Sequence, residues 1–392
     1  MSLHEIPSAE RLHIGFFGLR NAGKSSLVNA LTGQELSVVS PVKGTTTDPV
    51  KKAMELLPLG PVVILDTPGL DDEGELGALR VQRARRMLAQ TDLAVLVVDA
   101  AAGLSAQDRA LLEEIGQRKL PCLIAYNKAD LLDCRPDLPE NGLYVSARTG
   151  ENIRILKERL AALPRQERPR PLVSDLVRAG DAVVLVIPID DSAPKGRLIL
   201  PQQQVIRELL ECGCTVLTCR DTELTQTLGC LNAPPRLVIT DSQVFGNVAA
   251  LLPEIQPLTS FSILFARYKG DLDLLSAGAE KLCKLKSGDR VLISEGCTHH
   301  RQCGDIGTEK LPRWIRAFTG AEPRFEFTSG GTFPEDCSNY DLIVHCGGCM
   351  LNRQEMQHRL QTAKAAGVPV VNYGIAIAQM RGILARSLEV FR

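Results

Sequence analysis

The sequence predicts an α/β protein of three domains, and three observations point there. A buried strand over residues 12–18 runs straight into a glycine-rich loop and then a helical pattern. Strands alternate with amphipathic helices along 1–165, again along 172–257 and again along 258–392. Between the first two blocks lies Pro164-Arg165-Gln166-Glu167-Arg168-Pro169-Arg170-Pro171, which reads as a stiff charged linker. The expected architecture is an N-terminal P-loop domain on a doubly wound sheet, a middle α/β domain on a small parallel sheet, and a C-terminal α/β domain whose strands carry metal-ligand residues.

At 392 residues the chain exceeds one ordinary core, which also favours two or three domains. Lys and Arg number 45 against 46 Asp and Glu, so a net charge of −1 gives no general pull toward nucleic acid or anionic lipid. Aromatic residues, at 4%, leave few platforms for stacking single-stranded RNA. No apolar run is long enough to span a bilayer, and residues 1–10 lack the apolar core of a signal peptide. Neither nucleic acid nor a membrane is therefore an expected partner. Twelve cysteines without such a signal point to reduced thiols in the cytoplasm, some of them ligands.

The first block carries its chemistry in chain order. Gly18-Leu19-Arg20-Asn21-Ala22-Gly23-Lys24-Ser25 is GxxxxGKS, followed by a helical pattern through Ser26, Leu27, Val28, Ala30 and Leu31. The glycines let successive N–H groups wrap a β-phosphate, and the helix start adds positive potential. Asn21, Ala22, Gly23, Lys24, Ser25 and Ser26 are thus the expected cradle. Lys24 reaches the β- and γ-phosphates and the Ser25 hydroxyl ligates Mg²⁺. Asn127-Lys128-Ala129-Asp130 follows a strand at 121–126 and resembles the guanine-reading motif of translation-factor-type GTPases. That resemblance implies that Asp130 accepts from guanine N1 and the exocyclic amine, which adenine cannot supply. Ser146-Ala147-Arg148 is similar to the loop that backs the base in that family, with Arg in place of Lys.

Asp66-Thr67-Pro68-Gly69 ends the strand at 62–65 as a DxxG motif, so Asp66 is expected to hold Mg²⁺ through water and the Gly69 N–H to sense the γ-phosphate. Thr45-Thr46-Thr47 looks like switch I, where one of the three threonines closes on Mg²⁺, Thr46 being favoured over Thr45 and Thr47. Lys24, Thr46, Asp66 and Gly69 form the expected catalytic set for GTP hydrolysis. Leu70 stands where many GTPases place a water-orienting Gln, and it can neither polarise nor orient water. Asn21 stands where K⁺-activated GTPases of the TrmE–Era type carry an asparagine ligand. A K⁺ there would offset charge between the β- and γ-phosphates; otherwise Asn21 only shapes the turn. Either way hydrolysis is expected to be slow without an activator, as suits a switch.

In the middle block, strands at 182–189, 215–219 and 236–240 alternate with helices at 202–211, 221–231 and 242–252. No phosphate loop or carboxylate pair appears. Cys212, Cys214, Cys219 and Cys230 lie among Val, Leu and Ile and read as small buried hydrophobes rather than ligands. Such a sheet suits a scaffold or a subunit interface.

The third block is expected to hold strands at 262–266, 290–294, 324–327, 342–345 and 368–371, with helices at 272–285, 311–319, 353–366 and 375–385. A loop at Asn372-Tyr373-Gly374 is expected at the same sheet edge. Two strands end in ligand-rich turns: Cys297-Thr298-His299-His300, with Cys303 and Asp305 just beyond, and His345-Cys346-Gly347-Gly348-Cys349. If the two strands are parallel neighbours, Cys297, Cys346 and Cys349 meet at the carboxyl edge of the sheet, where open α/β sheets bind ligands. The glycines let the backbone fold round a metal centre. Ordinary thiols near turns are the plain alternative, but two such turns favour a metal site.

A TrmE–Era-like GTPase joined to CxH, a spacer of nearly fifty residues and HCxxC resembles the [FeFe]-hydrogenase maturation GTPases of the HydF family, along essentially the whole chain. Thr298-His299-His300, Asp305-Ile306-Gly307 and Lys310-Leu311-Pro312 add to the likeness. The resemblance implies a [4Fe–4S] cluster held by Cys297, Cys346 and Cys349 through three irons. The fourth iron would take an exchangeable ligand, with His345, His299 and Asp305 as candidates. Cys303 departs from the family pattern and leaves room for a fourth thiolate. Three thiolates leave an open position, which suits a scaffold for a diiron precursor. A cap on the strand end is the other role open to His345, and hydrogen bonding alone the other role for His299 and His300. The resemblance further implies a homodimer through the middle domain, work with two radical-SAM maturases, and delivery to apo-[FeFe]-hydrogenase. The rival expectation is a ribosome- or RNA-associated GTPase with structural Zn²⁺ at the three cysteines. A redox enzyme is a third, without a flavin or nicotinamide motif behind it.

Overall fold

The computed structural model describes residues 7–33, 50–67, 83–164, 171–189, 198–297 and 305–392, in two compact units, Met1–Glu167 and Arg168–Arg392. The first unit is built on β1 (Leu12–Phe17), β2 (Val50–Leu56), β3 (Gly60–Asp66), β4 (Leu93–Asp99), β5 (Cys122–Asn127) and β6 (Gly142–Tyr144). Their order is β2-β3-β1-β4-β5-β6, parallel throughout except for β2, which runs antiparallel to β3. The inner strands are near-continuous Val, Ile, Leu and Phe because both faces are covered. Leu27, Leu31 and Leu156 pack on one face, and Met87, Leu111 and Ile115 on the other. The doubly wound sheet is the expected one. Its edge strand β2 escapes a reading from sequence because its lysines and Glu55 break up the apolar run.

The second unit has two four-stranded parallel sheets. One has the order β10-β9-β7-β8, from β7 (Ala182–Val186), β8 (Thr215–Cys219), β9 (Leu237–Thr240) and β10 (Leu258–Ser260). The other has the order β12-β11-β13-β14, from β11 (Arg290–Ser294), β12 (Arg324–Thr328), β13 (Leu342–His345) and β14 (Val370–Asn372). Val184 and Val238 of the first share one core with Ile293, Val344 and Val371 of the second. Among the described residues, no helix is long and apolar enough to cross a membrane.

The strand expected at 262–266 is instead the helix Phe261–Lys269. Every residue in it except Ser262 is buried, so no polar stripe reveals a helical period and the run imitates a buried strand. Ser260 starts it by accepting from the Ile263 N–H at 3.3 Å. β10, just before it, pairs with β9 in the middle sheet. The helix expected at 375–385 is likewise two, Tyr373–Met380 and Leu384–Glu389, separated at Gly382 (φ 71°). Tyr373 and Gly374 open the first of these rather than forming a loop, and Asn372 caps it by accepting from the Ile375 N–H at 2.8 Å.

Strand register positions the cysteines. β11 lies between β12 and β13, with Ser294 opposite both Thr328 and His345, and His345 opposite Asn372. The turns bearing Cys297 and Cys346 therefore leave neighbouring parallel strands at one carboxyl edge.

Candidate functional site

Two edges carry the candidate chemistry, one in each unit. In the first unit, the loop after β1 turns on two glycines that nothing larger can replace. A Cβ on Gly18 (φ 136°) would stand 2.2 Å from the Val97 carbonyl oxygen, and one on Gly23 (φ 88°) 2.3 Å from Asn127 Nδ2. Asn21 also adopts positive φ, 61°. Ala22 is buried, while Ser25 and Ser26 sit exposed in the first turn of the helix Lys24–Thr32. The buried Lys24 ammonium donates to the Gly18 and Leu19 carbonyls at 2.9 and 2.7 Å, folded back along the loop.

Asn127 ends β5 and joins three loops. Its Nδ2 donates to the Ala22 carbonyl at 3.0 Å, and its Oδ1 accepts from the Ala147 N–H at 3.0 Å. Lys128 pairs with Asp99 at 2.6 Å. Asp130 has one oxygen on the Ser146 hydroxyl and the other on the Arg148 guanidinium, each at 2.5 Å. The Ser146 bond, then the Arg148 charge, hold its carboxyl below the usual range. The P-loop, the NKxD loop and the Ser146-Ala147-Arg148 loop are thus one assembly.

Ser25 Oγ donates to Asp66 Oδ2 at 3.1 Å. The other oxygen, Asp66 Oδ1, is buried with no hydrogen-bond partner among the described residues. Burial pushes this carboxyl up, against the lowering by Ser25 and Lys24. A buried, unsatisfied carboxylate oxygen beside a helix-starting serine is an arrangement that Mg²⁺ and its waters would complete. Thr45, Thr46 and Gly69 lie outside the described residues.

In the second unit the sulfur of Cys346 accepts from the N–H groups of Gly296 at 3.0 Å and Gly348 at 3.4 Å. Burial pushes this thiol up to about 11, and it raises Cys349 too, with the Lys269 ammonium pulling Cys349 part of the way back. Lys269, 2% exposed, donates to the Cys349 and Leu351 carbonyls at 3.1 and 2.9 Å and fixes the end of the CxxC turn. The Cys297 carbonyl accepts from the Gly330 N–H at 3.2 Å. Backbone amides aimed at a sulfur, with a cation behind the turn, fit thiolate ligands of an iron–sulfur cluster. Among the described residues, no three His, Cys, Asp or Glu side chains already stand together as a ligand set.

The fourth-ligand candidates fare differently. His345 is buried with both ring nitrogens engaged: Nδ1 on the Cys346 carbonyl at 2.8 Å and Nε2 on Arg359 at 3.2 Å. With both nitrogens engaged it stands here as a strand-end cap, and burial with the neighbouring guanidinium holds it neutral, down to about 3. Asp305 caps the helical turn Ile306–Lys310, accepting from the Thr308 N–H and hydroxyl at 2.8 Å each. His299, His300 and Cys303 lie outside the described residues. Tyr373 lies at this edge as expected, while sequence reasoning passed over Lys269, Glu295 and Arg359, which also approach it. The Tyr373 hydroxyl donates to Glu295 at 3.3 Å, and burial, with the nearby Cys346, Glu295 and Asp305, pushes it well up. Nothing local marked them: Lys269 and Arg359 sit where helices usually carry solvated cations.

Three family models match the chain in succession. Residues 13–128 match a 50S ribosome-binding GTPase, 172–270 the hydrogen maturase F dimerization domain and 273–390 the hydrogen maturase F tetramerization domain. The last two together span more than half the chain. The tRNA modification GTPase MnmE of Nitrosomonas europaea is 35% identical over 156 residues, 38% of this chain and 34% of that protein. MnmE of Nitratidesulfovibrio vulgaris is 37% identical over 144 residues, 36% of this chain and 31% of that protein. The chain thus spans about a third of the length of the curated relatives it matches. Among solved structures, a probable GTP-binding protein engB is 25% identical, covering 38% of this chain and 95% of that one, at a TM-score of 0.31. The G domain of the T. maritima FeoB iron transporter is also 25% identical, covering 39% and 98%, at 0.30. Scores this low add nothing to the sequence matches.

Proposed function

We propose, on the premise that the chain belongs to the hydrogen maturase F family, that it is a GTPase scaffold that carries a [4Fe–4S] cluster and delivers a diiron precursor to apo-[FeFe]-hydrogenase. The observation that carries this is the succession of a GTPase match and two hydrogen-maturase matches, the second of which contains Cys297, Cys346 and Cys349. These three cysteines would hold the cluster. When bound, the cluster supplies an iron with an open position for the exchangeable ligand or precursor. Asp305, and His299 in the segment that follows Cys297, are the remaining candidates for that position.

The protein's own parts divide the work. Gly296 and Gly348 steady the Cys346 sulfur with their N–H groups, and Lys269 steadies the turn that ends in Cys349. In the first unit, Lys24 would bind phosphate, Ser25 and Asp66 would hold Mg²⁺ with one switch-I threonine (Thr46, or else Thr45 or Thr47), and the Gly69 N–H would sense the γ-phosphate. Asn21 would hold an activating K⁺, and Asp130 would read guanine once Arg148 leaves it. GTP state would tune association with partners: a second copy through the middle domain, the radical-SAM maturases and the hydrogenase, all in the cytoplasm.

The test is activation of apo-[FeFe]-hydrogenase by this protein isolated from cells that co-express the two maturases. Hydrogen evolution is expected with the wild type and not with Cys346→Ala; equal activation by both would refute the reading. A second reading, a ribosome- or RNA-associated GTPase with structural Zn²⁺, draws support from the MnmE and ribosome-binding GTPase likenesses. Tight filter binding to RNA would favour it.

A further inference from the structure

We propose that Arg359 is a positioning residue that locks the two cysteine turns to each other from behind. One guanidinium reaches both. Its Nη1 donates to His345 Nε2 at 3.2 Å; since that nitrogen accepts, the ring proton is on Nδ1, which donates to the Cys346 carbonyl at 2.8 Å. Its Nη2 donates to the Gly330 carbonyl at 2.6 Å, and the Gly330 N–H donates to the Cys297 carbonyl at 3.2 Å. The backbones of both cysteines are therefore held from a single side chain, each through one intermediary.

The clamp has little freedom. Arg359 is 2% exposed, Nη2 also meets Glu355 Oε1 at 2.6 Å, and the guanidinium carbon lies 5.3 Å from the Phe333 ring centroid. Burying a guanidinium is costly, and since Nε is buried without a hydrogen-bond partner among the described residues, the two Nη arms are what offset that cost. A planar fork can serve both arms at once, which a lysine ammonium cannot do with the same geometry. The consequence for function rests on the cluster reading above: the clamp sets where Cys297 and Cys346 present their sulfurs.

The test compares wild type with Arg359→Lys in the full chain. Cluster affinity and the EPR spectrum of the reduced protein are read beside GTP hydrolysis and thermal unfolding. Arg359→Lys is expected to hydrolyse GTP normally, to bind the cluster about 10–100-fold more weakly and to shift its EPR signal. Wild-type affinity and spectrum in that variant would overturn the clamp, since a merely structural residue would move only the unfolding temperature. If Arg359→Lys fails to fold, His345→Asn breaks one arm while keeping the guanidinium, and an unshifted spectrum there would equally overturn it. Should the wild type itself take up no cluster, the cluster reading falls alone. The clamp is then read in metal-free protein, as faster amide exchange at Gly330 and Cys346 in Arg359→Lys, and unchanged exchange would refute it.

Discussion

The Cys346 sulfur accepts a hydrogen bond from the Gly296 N–H at 3.0 Å, so the turn after β11 already touches the thiol that β13 delivers. Because burial holds this thiol at about 11, it is protonated at pH 8 in metal-free protein, and metal binding must release the proton. Iodoacetamide at pH 8 is expected to label Cys346 at least about tenfold more slowly than the exposed Cys134. The gap should close as the pH approaches 11. Peptide mass spectrometry reads both sites in one sample.

Arg148 sits on the Asp130 carboxylate, which is proposed to read guanine. Arg148→Ala is expected to tighten GTP and GDP binding roughly two- to fivefold, the modest scale of an exposed ion pair. Asp130→Ala should lose guanine selectivity altogether. Titration with fluorescent guanine and adenine nucleotides separates the two effects.

Asp66 has a raised carboxyl in the folded protein, so its charged form costs stability at neutral pH, and that cost disappears as the pH falls through the folded value. Without Mg²⁺, Asp66→Asn is expected to raise Tm at pH 7 by about 2–4 °C. The gain should shrink on acidification, as the wild-type carboxyl becomes neutral by itself. The same variant should lose GTP hydrolysis, seen by phosphate release.

His345 shifts the other way, from an ordinary 6.5 down to about 3. Between those values the unfolded chain binds more protons than the folded one, so the second unit loses stability as pH falls across that window. Replacing the ring by His345→Gln is expected to flatten this acid limb. Chemical denaturation at a series of pH values, followed by circular dichroism, measures the slope.

The nucleotide edge is legible in the sequence because its motifs are local: the spacing of Gly18, Gly23, Lys24 and Ser25 is a backbone requirement. What Asn127 does is not legible, since Ala22 lies 105 positions away from it. The parallel pairing of the two cysteine strands also reads correctly, from two short apolar runs that each end in ligand-type residues. The helix Phe261–Lys269 does not, because complete burial erases the period that separates helix from strand. Arg359 and Lys269 are hidden for a related reason. A cation looks the same in sequence whether it faces water or is drawn inward by backbone carbonyls.

The most direct test is an EPR spectrum of anaerobically reconstituted, dithionite-reduced protein, with iron and zinc quantified on the same sample. One [4Fe–4S] cluster per chain is expected, with a reduced signal that vanishes in Cys346→Ala and shifts when imidazole is added. An EPR-silent protein holding stoichiometric zinc would contradict the account and favour the RNA-associated GTPase.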